Sequence, residues 1–293
     1  MADWTEEDMT VTKFRELMTD FMPGRTFGGI MLALPMGSHG LPAATHDTVT
    51  FQAEHIAGEA NPDPLCGSTM FISPKLDPDY VRQEVQRLKI NGLKCYHTMA
   101  PQQPTWNAEI PDYLPEGLVQ VAHEEGWVIT LHMVRSRAAA DPSNIHWIRY
   151  YCEQYPQMRL ILAHSARGFQ PAHNLEGLPQ LQGLENLYFD TSANCDPIAH
   201  QAIIRYCGHE KLMYGTDMPV SHGRGRSLGA ADAFLWLGED TPVWEEQHLT
   251  IKPVLLGLEH LRSVKWACWS EQLGDSAVED IFWNNAARLF GLD

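Results

Sequence analysis

Seven short apolar runs recur along the chain, each closed by a polar or glycine-rich turn, and most are followed by a stretch with helical spacing. They cover residues 29–34, 67–72, 92–96, 127–132, 158–164, 186–190 and 211–217. The runs are nearly continuous rather than alternating, the pattern of strands covered on both faces, as in parallel sheets. Between them, residues 79–88, 114–125, 144–155 and 197–207 are amphipathic. Several of these open on Asp-Pro, Leu-Pro or Pro-Ser steps, which suit a helix start. Residues 10–22 also read as a helix. Such alternation predicts an α/β fold with crossover helices. A dinucleotide-type open sheet has little support, because no G-x-G-x-x-G follows an early strand. A (β/α)8 TIM-like barrel, one strand short, fits the count.

After the last run the pattern changes. Residues 221–270 are expected to hold a Gly/Arg-rich loop, Ser221-His-Gly-Arg-Gly-Arg226, and then a helical insertion, all within one barrel domain spanning 1–293. Val278, Ile281, Phe282, Ala286, Leu289 and Phe290 fall on one face of a closing helix at 3.6 spacing. Trp236, Trp244, Trp266, Trp269 and Trp283 read as packing residues of this C-terminal part.

Composition narrows the class. With 293 residues, 44% of them hydrophobic, the chain can bury a large core. A net charge of −16 argues against nucleic acid and anionic membranes as partners. No apolar stretch approaches the length of a transmembrane helix, and the first residues are acidic where a secretory signal is basic. A cytoplasmic protein is expected. The 6 cysteines form no C-x-x-C pair and read as free thiols in a reducing compartment.

Chemistry enters at the strand ends. In a parallel barrel, active sites gather at the carboxyl ends of the strands. Three runs end in His132, His164 and Asp217, and imidazole with carboxylate is the ligand set of zinc and similar divalent ions. Lys94 sits inside an apolar run, where an unpaired ammonium is expensive. It is either a substrate-binding cation or the partner of a core carboxylate. His97, at the same strand end, is a weaker candidate. Lys94, Arg135, Arg137, Arg167, Arg224 and Arg226 all lie in or just after strands whose turns face one opening. In an acidic protein this points to a small-molecule anionic substrate, most simply a carboxylate. Arg167 and Arg224 are the preferred contacts, with His222 nearby. Asp190 reads as structural, accepting hydrogen bonds from loop amides.

From about Thr26 onward the chain resembles the amidohydrolase superfamily, within it the amidohydrolase-related (amidohydrolase 2) group of hydrolases and decarboxylases. The resemblance rests on Gly92-Leu-Lys-Cys-Tyr, Thr130-Leu-His-Met, Leu162-Ala-His-Ser-Ala-Arg-Gly-Phe, Tyr188-Phe-Asp-Thr-Ser, Tyr214-Gly-Thr-Asp-Met-Pro and Asn285-Ala-Ala-Arg-Leu-Phe-Gly-Leu. It implies a distorted (β/α)8 barrel and a divalent metal, zinc by ligand type. It also implies that His132 is the metal ligand of the family's fifth strand and His164 the histidine of its sixth. Asp217 becomes the carboxylate of its eighth strand, binding metal and carrying the proton. By the same resemblance a carbamylated Lys94 could bridge two metals.

The family pattern opens on a strand ending in H-x-H, and none of the 14 histidines here forms such a pair. Either that strand belongs before Met1, or the protein has lost it and with it tight metal binding. Loss leaves strand edges at 30–34 and 212–215 to be covered by the N-terminal segment or by a second subunit, which keeps a homo-oligomer open. The leading expectation is a metal-dependent hydrolase acting on a small carboxylated substrate, with Asp217 as proton shuttle. The alternatives are a non-oxidative decarboxylase on the same site and a degenerate barrel that binds an anion without turnover.

Overall fold

A computed structural model describes residues 9–36, 43–245 and 252–292. All seven apolar runs become strands: β1 Gly29–Met31, β2 Cys66–Ile72, β3 Gly92–Tyr96, β4 Val128–His132, β5 Arg159–Leu162, β6 Leu187–Asp190 and β7 Leu212–Met213. They pair in sequence order, and every pair is parallel. Consecutive parallel strands with helices between them make the curled sheet of a (β/α)8 barrel. Seven of its strands lie among the described residues, where no ladder joins β1 to β7.

The predicted helices follow from a repeated local device. Asp77, Asp141 and Asp196 each sit at an N-cap, accept from backbone amides of the first turn, and precede a proline at the first helical position. They start the helices Pro78–Leu88, Pro142–Gln154 and Pro197–Cys207. The helix His46–Ala60 escapes the periodicity argument because its inner face is built of Val49, Gln52, Ala53, Ala57 and Ala60, too small to read as an apolar stripe. Thr45 and Thr48 start it with a reciprocal capping box.

The N-terminal helix Val11–Met18 closes the space between the ends of the sheet. Thr10 Oγ1 caps it by accepting from Lys13 N at 3.1 Å. Its Phe14 and Met18, with Phe21 and Phe27, form one cluster that takes in Met31 from β1 and Tyr214 and Met218 from beyond β7. Side-chain packing therefore links the two edges where no backbone ladder does. Gly257 lets the C-terminal helix Leu256–Ser270 approach this cluster, since a Cβ there would lie 2.6 Å from the Phe21 ring.

The region after β7 departs from expectation. The helix Leu256–Ser270 is present, but the Gly/Arg-rich loop runs into an antiparallel hairpin, β8 Gly225–Ala230 with β9 Ala233–Gly238. Its turn contains none of the usual Asn-Gly or Asp-Gly signals and places Ala231 at φ +51°, so the sequence gives no hairpin cue. Trp236, Trp266 and Trp269 are exposed rather than packed inside, at 45, 48 and 69%. The closing segment forms Asp275–Phe290, with a π-helical turn at Asp280–Asn284. All 6 cysteines are free, with only Cys207 not fully buried. Among the described residues no helix is long and apolar enough to cross a membrane.

Candidate active site

The strand-end residues meet at one mouth. Pairing of β3 with β4 sets Tyr96 beside His132, and their rings stack at 5.2 Å. His164, just past β5, turns its Nε2 to within 3.2 Å of His132 Nδ1. Its own Nδ1 lies 3.0 Å from both the carbonyl and the hydroxyl of Ser192. His97 joins the group with its ring 5.8 Å from that of His132 and its Nδ1 2.9 Å from Thr105 Oγ1.

An unusual backbone puts His164 there. His164, Ser165, Ala166 and Arg167 all have positive φ, between +53° and +58°, making a left-handed turn of four non-glycine residues. Such residues cost roughly 1–2 kcal/mol each. Buried and half-buried polar side chains hold the turn in place. Asp190 Oδ1 accepts from His164 N at 3.0 Å, and Asn174 Nδ2 donates to Ser165 O at 2.8 Å. Ser165 Oγ lies 2.8 Å from His200 Nδ1, and Asn194 Nδ2 donates to His164 O at 3.3 Å. Gly168 leaves the turn where a Cβ would lie 2.5 Å from the Asn174 amide. Arg135, Ala193 and Asp217, also in the turns that follow β4, β6 and β7, have positive φ as well. Strain is concentrated at the mouth, as in many functional sites.

Charge at the mouth is unevenly compensated. Arg135 pairs with Asp141 at 2.9 Å, Arg137 with Glu176 and Asp232, and Arg226 with Glu259 at 3.4 Å. Arg224 is exposed and donates to Pro253 O, while His222 lies 2.9 Å from Asp20 and edge-on to Phe21. Neither makes a hydrogen bond, ion pair or ring contact with His132, His164 or Lys94 among the described residues. Two cations differ. Lys94 is only 2% exposed, has no carboxylate at ion-pairing distance among the described residues, and sits 4.9 Å from the Tyr96 ring centre. Burial pushes its pKa down, against attraction from Asp190 and Asp217. Arg167 likewise has no carboxylate partner there. It lies over the rings of Trp106 and Phe234, and burial lowers its pKa too.

These cations act on the imidazole between them. Burial, then His164, Lys94, His97 and Arg167, holds the His132 pKa well below the usual histidine value, so the ring is neutral near pH 7. Burial raises the Tyr96 phenol, with Asp217 and Asp190 adding to the effect, and it stays protonated. The Asp217 carboxylate makes no hydrogen bond or ion pair among the described residues. Asp190 Oδ1, by contrast, is occupied by the amides of His164 and Ser192 at 3.0 Å each, in addition to the Ser192 hydroxyl.

His132, His164, Lys94, Arg167 and Asp217 are thus assembled, whereas His222 and Arg224 are held elsewhere. Tyr96, Ser192, Asn174, Asn194 and His200 complete the arrangement without a sequence signal, because each acts through a contact to a distant segment. The 3.2 Å between His132 Nδ1 and His164 Nε2 suits two ligands of one tetrahedral ion. A zinc site needs at least three protein ligands. The described residues contain no group of three or more His, Cys, Asp or Glu able to hold a metal. They do not fit a complete centre.

Residues 52–292 match the family Amidohydro_2, described as amidohydrolase. No curated protein matches the sequence. The fold is similar to that of an amidohydrolase from Burkholderia multivorans with bound HEPES, at TM-score 0.61 and 14% identity, covering 97% of this chain and 89% of that one. It is also similar to a protein assigned as a 2-pyrone-4,6-dicarboxylic acid hydrolase, from Acinetobacter baumannii with citric acid bound (TM-score 0.56, 13% identity, 98% and 96% covered). A third is 4-oxalomesaconate hydratase from Rhodopseudomonas palustris (TM-score 0.53, 11% identity, 84% and 72% covered). At such identities these likenesses show the barrel fold. The family match spans most of the chain, which belongs to the amidohydrolase family and is an amidohydrolase-type enzyme.

Proposed function

We propose that the chain hydrolyses a small carboxylated compound at this mouth, with Asp217 as the proton carrier. The observation that carries this reading is a pair of buried or half-buried cations beside His132, Lys94 and Arg167, that have no carboxylate partner among the described residues. A protein of net charge −16 has acids to spare for them, so two open cations argue for an anion from outside. His222, paired with Asp20, and Arg224, which is exposed and donates to Pro253 O, are the weaker of the expected substrate contacts. Two of the similar structures are named for carboxylated compounds, a pyrone dicarboxylic acid and oxalomesaconate, which favours the same substrate class.

In this scheme Lys94 and Arg167 fix the substrate carboxylate and orient the scissile bond. Asp217, whose carboxylate has no partner among the described residues, takes a proton from the attacking water as the water oxygen bonds to the substrate carbonyl. It returns that proton to the leaving group as the carbon–heteroatom bond breaks. The protonated Tyr96 phenol would stabilise the developing oxyanion, while His164, whose Nδ1 donates to the Ser192 carbonyl, presents Nε2 as an acceptor. The divalent ion expected from the family pattern, zinc with His132 and Asp217 among its ligands, requires donors beyond the described group, and no step here depends on it. Metal analysis of the purified chain tests that part separately.

A panel of lactones and amides bearing carboxylates, run beside a carbon dioxide release assay on aromatic acids, tests the reaction class. Hydrolysis abolished by Asp217→Asn, with anion binding retained, is the expected result. Carbon dioxide release without hydrolysis assigns a decarboxylase, in which Asp217 delivers its proton to carbon. Anion binding with neither activity overturns the enzymatic assignment in favour of a non-turning-over binder.

A further inference from the structure

Resting on the reading of Arg167 as the anion contact, we propose that Phe234 is the residue that orients its guanidinium, which makes the β8–β9 hairpin the specificity element of the site. A guanidinium reads a carboxylate through two parallel N–H bonds only when its plane is fixed. Among the described residues Arg167 has one hydrogen bond, from Nη1 to Arg135 O at 3.0 Å, and no carboxylate to lock it. Two aromatic rings lie beside it. Its carbon centre lies 5.2 Å from the Phe234 ring and 5.5 Å from that of Trp106. Rings on the faces of a guanidinium leave its edges, where the donors lie, open to a ligand.

Phe234 is itself held with care. Its ring packs at 4.8 Å on Phe169, which packs in turn on Trp236 at 5.1 Å and on His164 at 5.6 Å. A continuous run of rings joins the hairpin to the strand-end histidines. The tip of the hairpin is tied to the same stretch of chain that carries Arg167. Asp232 Oδ1 lies 2.8 Å from Nε2 of the buried His173, its other oxygen lies 3.4 Å from Arg137, and Gln170 Nε2 donates to Ala231 O at 2.6 Å. Gly229 sits against Pro171 and the Phe169 carbonyl, where a Cβ would have only 3.1–3.2 Å. The hairpin is therefore docked on residues 169–173 at its tip and presents Phe234 to Arg167 two residues further on. Phe234 is a positioning residue. It selects substrates whose carboxylate arrives in the plane of the guanidinium.

Calorimetric titration of the full chain with isophthalate, a planar dicarboxylate, and with its neutral counterpart isophthalamide provides the test. The wild type is expected to prefer isophthalate. Phe234→Leu keeps an apolar side chain but removes the ring, and should weaken isophthalate about tenfold while leaving isophthalamide unchanged. Phe234→Tyr, which keeps the ring, should restore the preference, and Arg167→Met should weaken isophthalate at least as much as Phe234→Leu. If Phe234→Leu binds isophthalate as the wild type does while Arg167→Met weakens it, the role of Phe234 is overturned and the anion reading stands. If Arg167→Met binds isophthalate as tightly as the wild type, the reading of Arg167 as the anion contact fails and this inference fails with it; if the wild type shows no preference, the whole anion reading fails. Melting curves of both Phe234 variants, expected to match the wild type, separate orientation from a loss of folding.

Discussion

Replacing Lys94 by methionine should make the protein more stable and less able to bind anions. The side chain is 2% exposed and has no carboxylate at ion-pairing distance among the described residues; the face of Tyr96 at 4.9 Å and the longer-range pull of Asp190, Cys95 and Asp217 offset its desolvation in part. Removing a buried charge in favour of an apolar side chain of similar volume is worth about 1–4 kcal/mol. For 293 residues, at an unfolding entropy of roughly 2.1 cal/mol/K per residue, that raises Tm by about 2–6 °C. The pH dependence fixes the cause. The pKa of Lys94 is lowered in the folded state, so between that value and the ordinary one near about 10.4 the unfolded chain binds more protons. Wild-type stability attributable to this residue therefore rises with pH through that window, and the penalty is complete below it. The advantage of Lys94→Met should be largest near about pH 6 and shrink as pH climbs toward about 10. Scanning calorimetry of both proteins across this range, with isophthalate titration alongside, measures it. A variant no more stable than wild type near about pH 6, or an advantage independent of pH, would refute the argument that Lys94 is a buried and uncompensated cation.

Three further outcomes follow from particular contacts. His132, held well below the usual histidine pKa by burial and by its cationic neighbours, should keep the nitrogen chemical shifts of a neutral ring through about pH 6, where an exposed histidine is largely protonated. A midpoint near about 6.5 by NMR would contradict the burial argument. Gly257→Ala drives a Cβ to within 2.6 Å of the Phe21 ring and should cost about 1–3 kcal/mol in a chemical denaturation curve. An unchanged midpoint would mean that the N-terminal cluster does not pack on the helix Leu256–Ser270. Asn285 is 4% exposed and donates to both His209 O and Leu212 O at 2.8 Å. Asn285→Ala strands two carbonyls at the start of β7 and should lower stability by about 1–3 kcal/mol, read as a drop in Tm without loss of helical signal.

Much of the architecture is written locally. A continuous apolar run between turn residues is a buried strand wherever it occurs, and an aspartate followed by proline starts a helix whatever packs on it later. For that reason β1 to β7, the Asp-Pro helices and the strand-end residues His132, His164 and Asp217 could all be read from short windows. The helix His46–Ala60 and the hairpin β8–β9 were not legible. One hides its inner face in small residues, and the other turns without a turn signal.

The cations show where local reading stops. Lys94 lies in the third apolar run and Arg135, Arg137, Arg167, Arg224 and Arg226 follow later ones, and apart from Asp141 beside Arg135 nothing nearby in sequence separates them. Glu176 and Asp232 neutralise Arg137, and Glu259 neutralises Arg226, from 33 to 95 positions away, while Lys94 and Arg167 are left to face the mouth. The left-handed turn that presents His164 is likewise held by Asn174, Asp190, Asn194 and His200, which approach it only in the folded chain. Strand, helix and strand-end identity come from backbone preference and burial pattern, which act over a few residues and so belong to the sequence. Which charge stays open, and which backbone can be held in a costly conformation, depends on Coulomb and hydrogen-bond partners met through space, and these the tertiary structure decides.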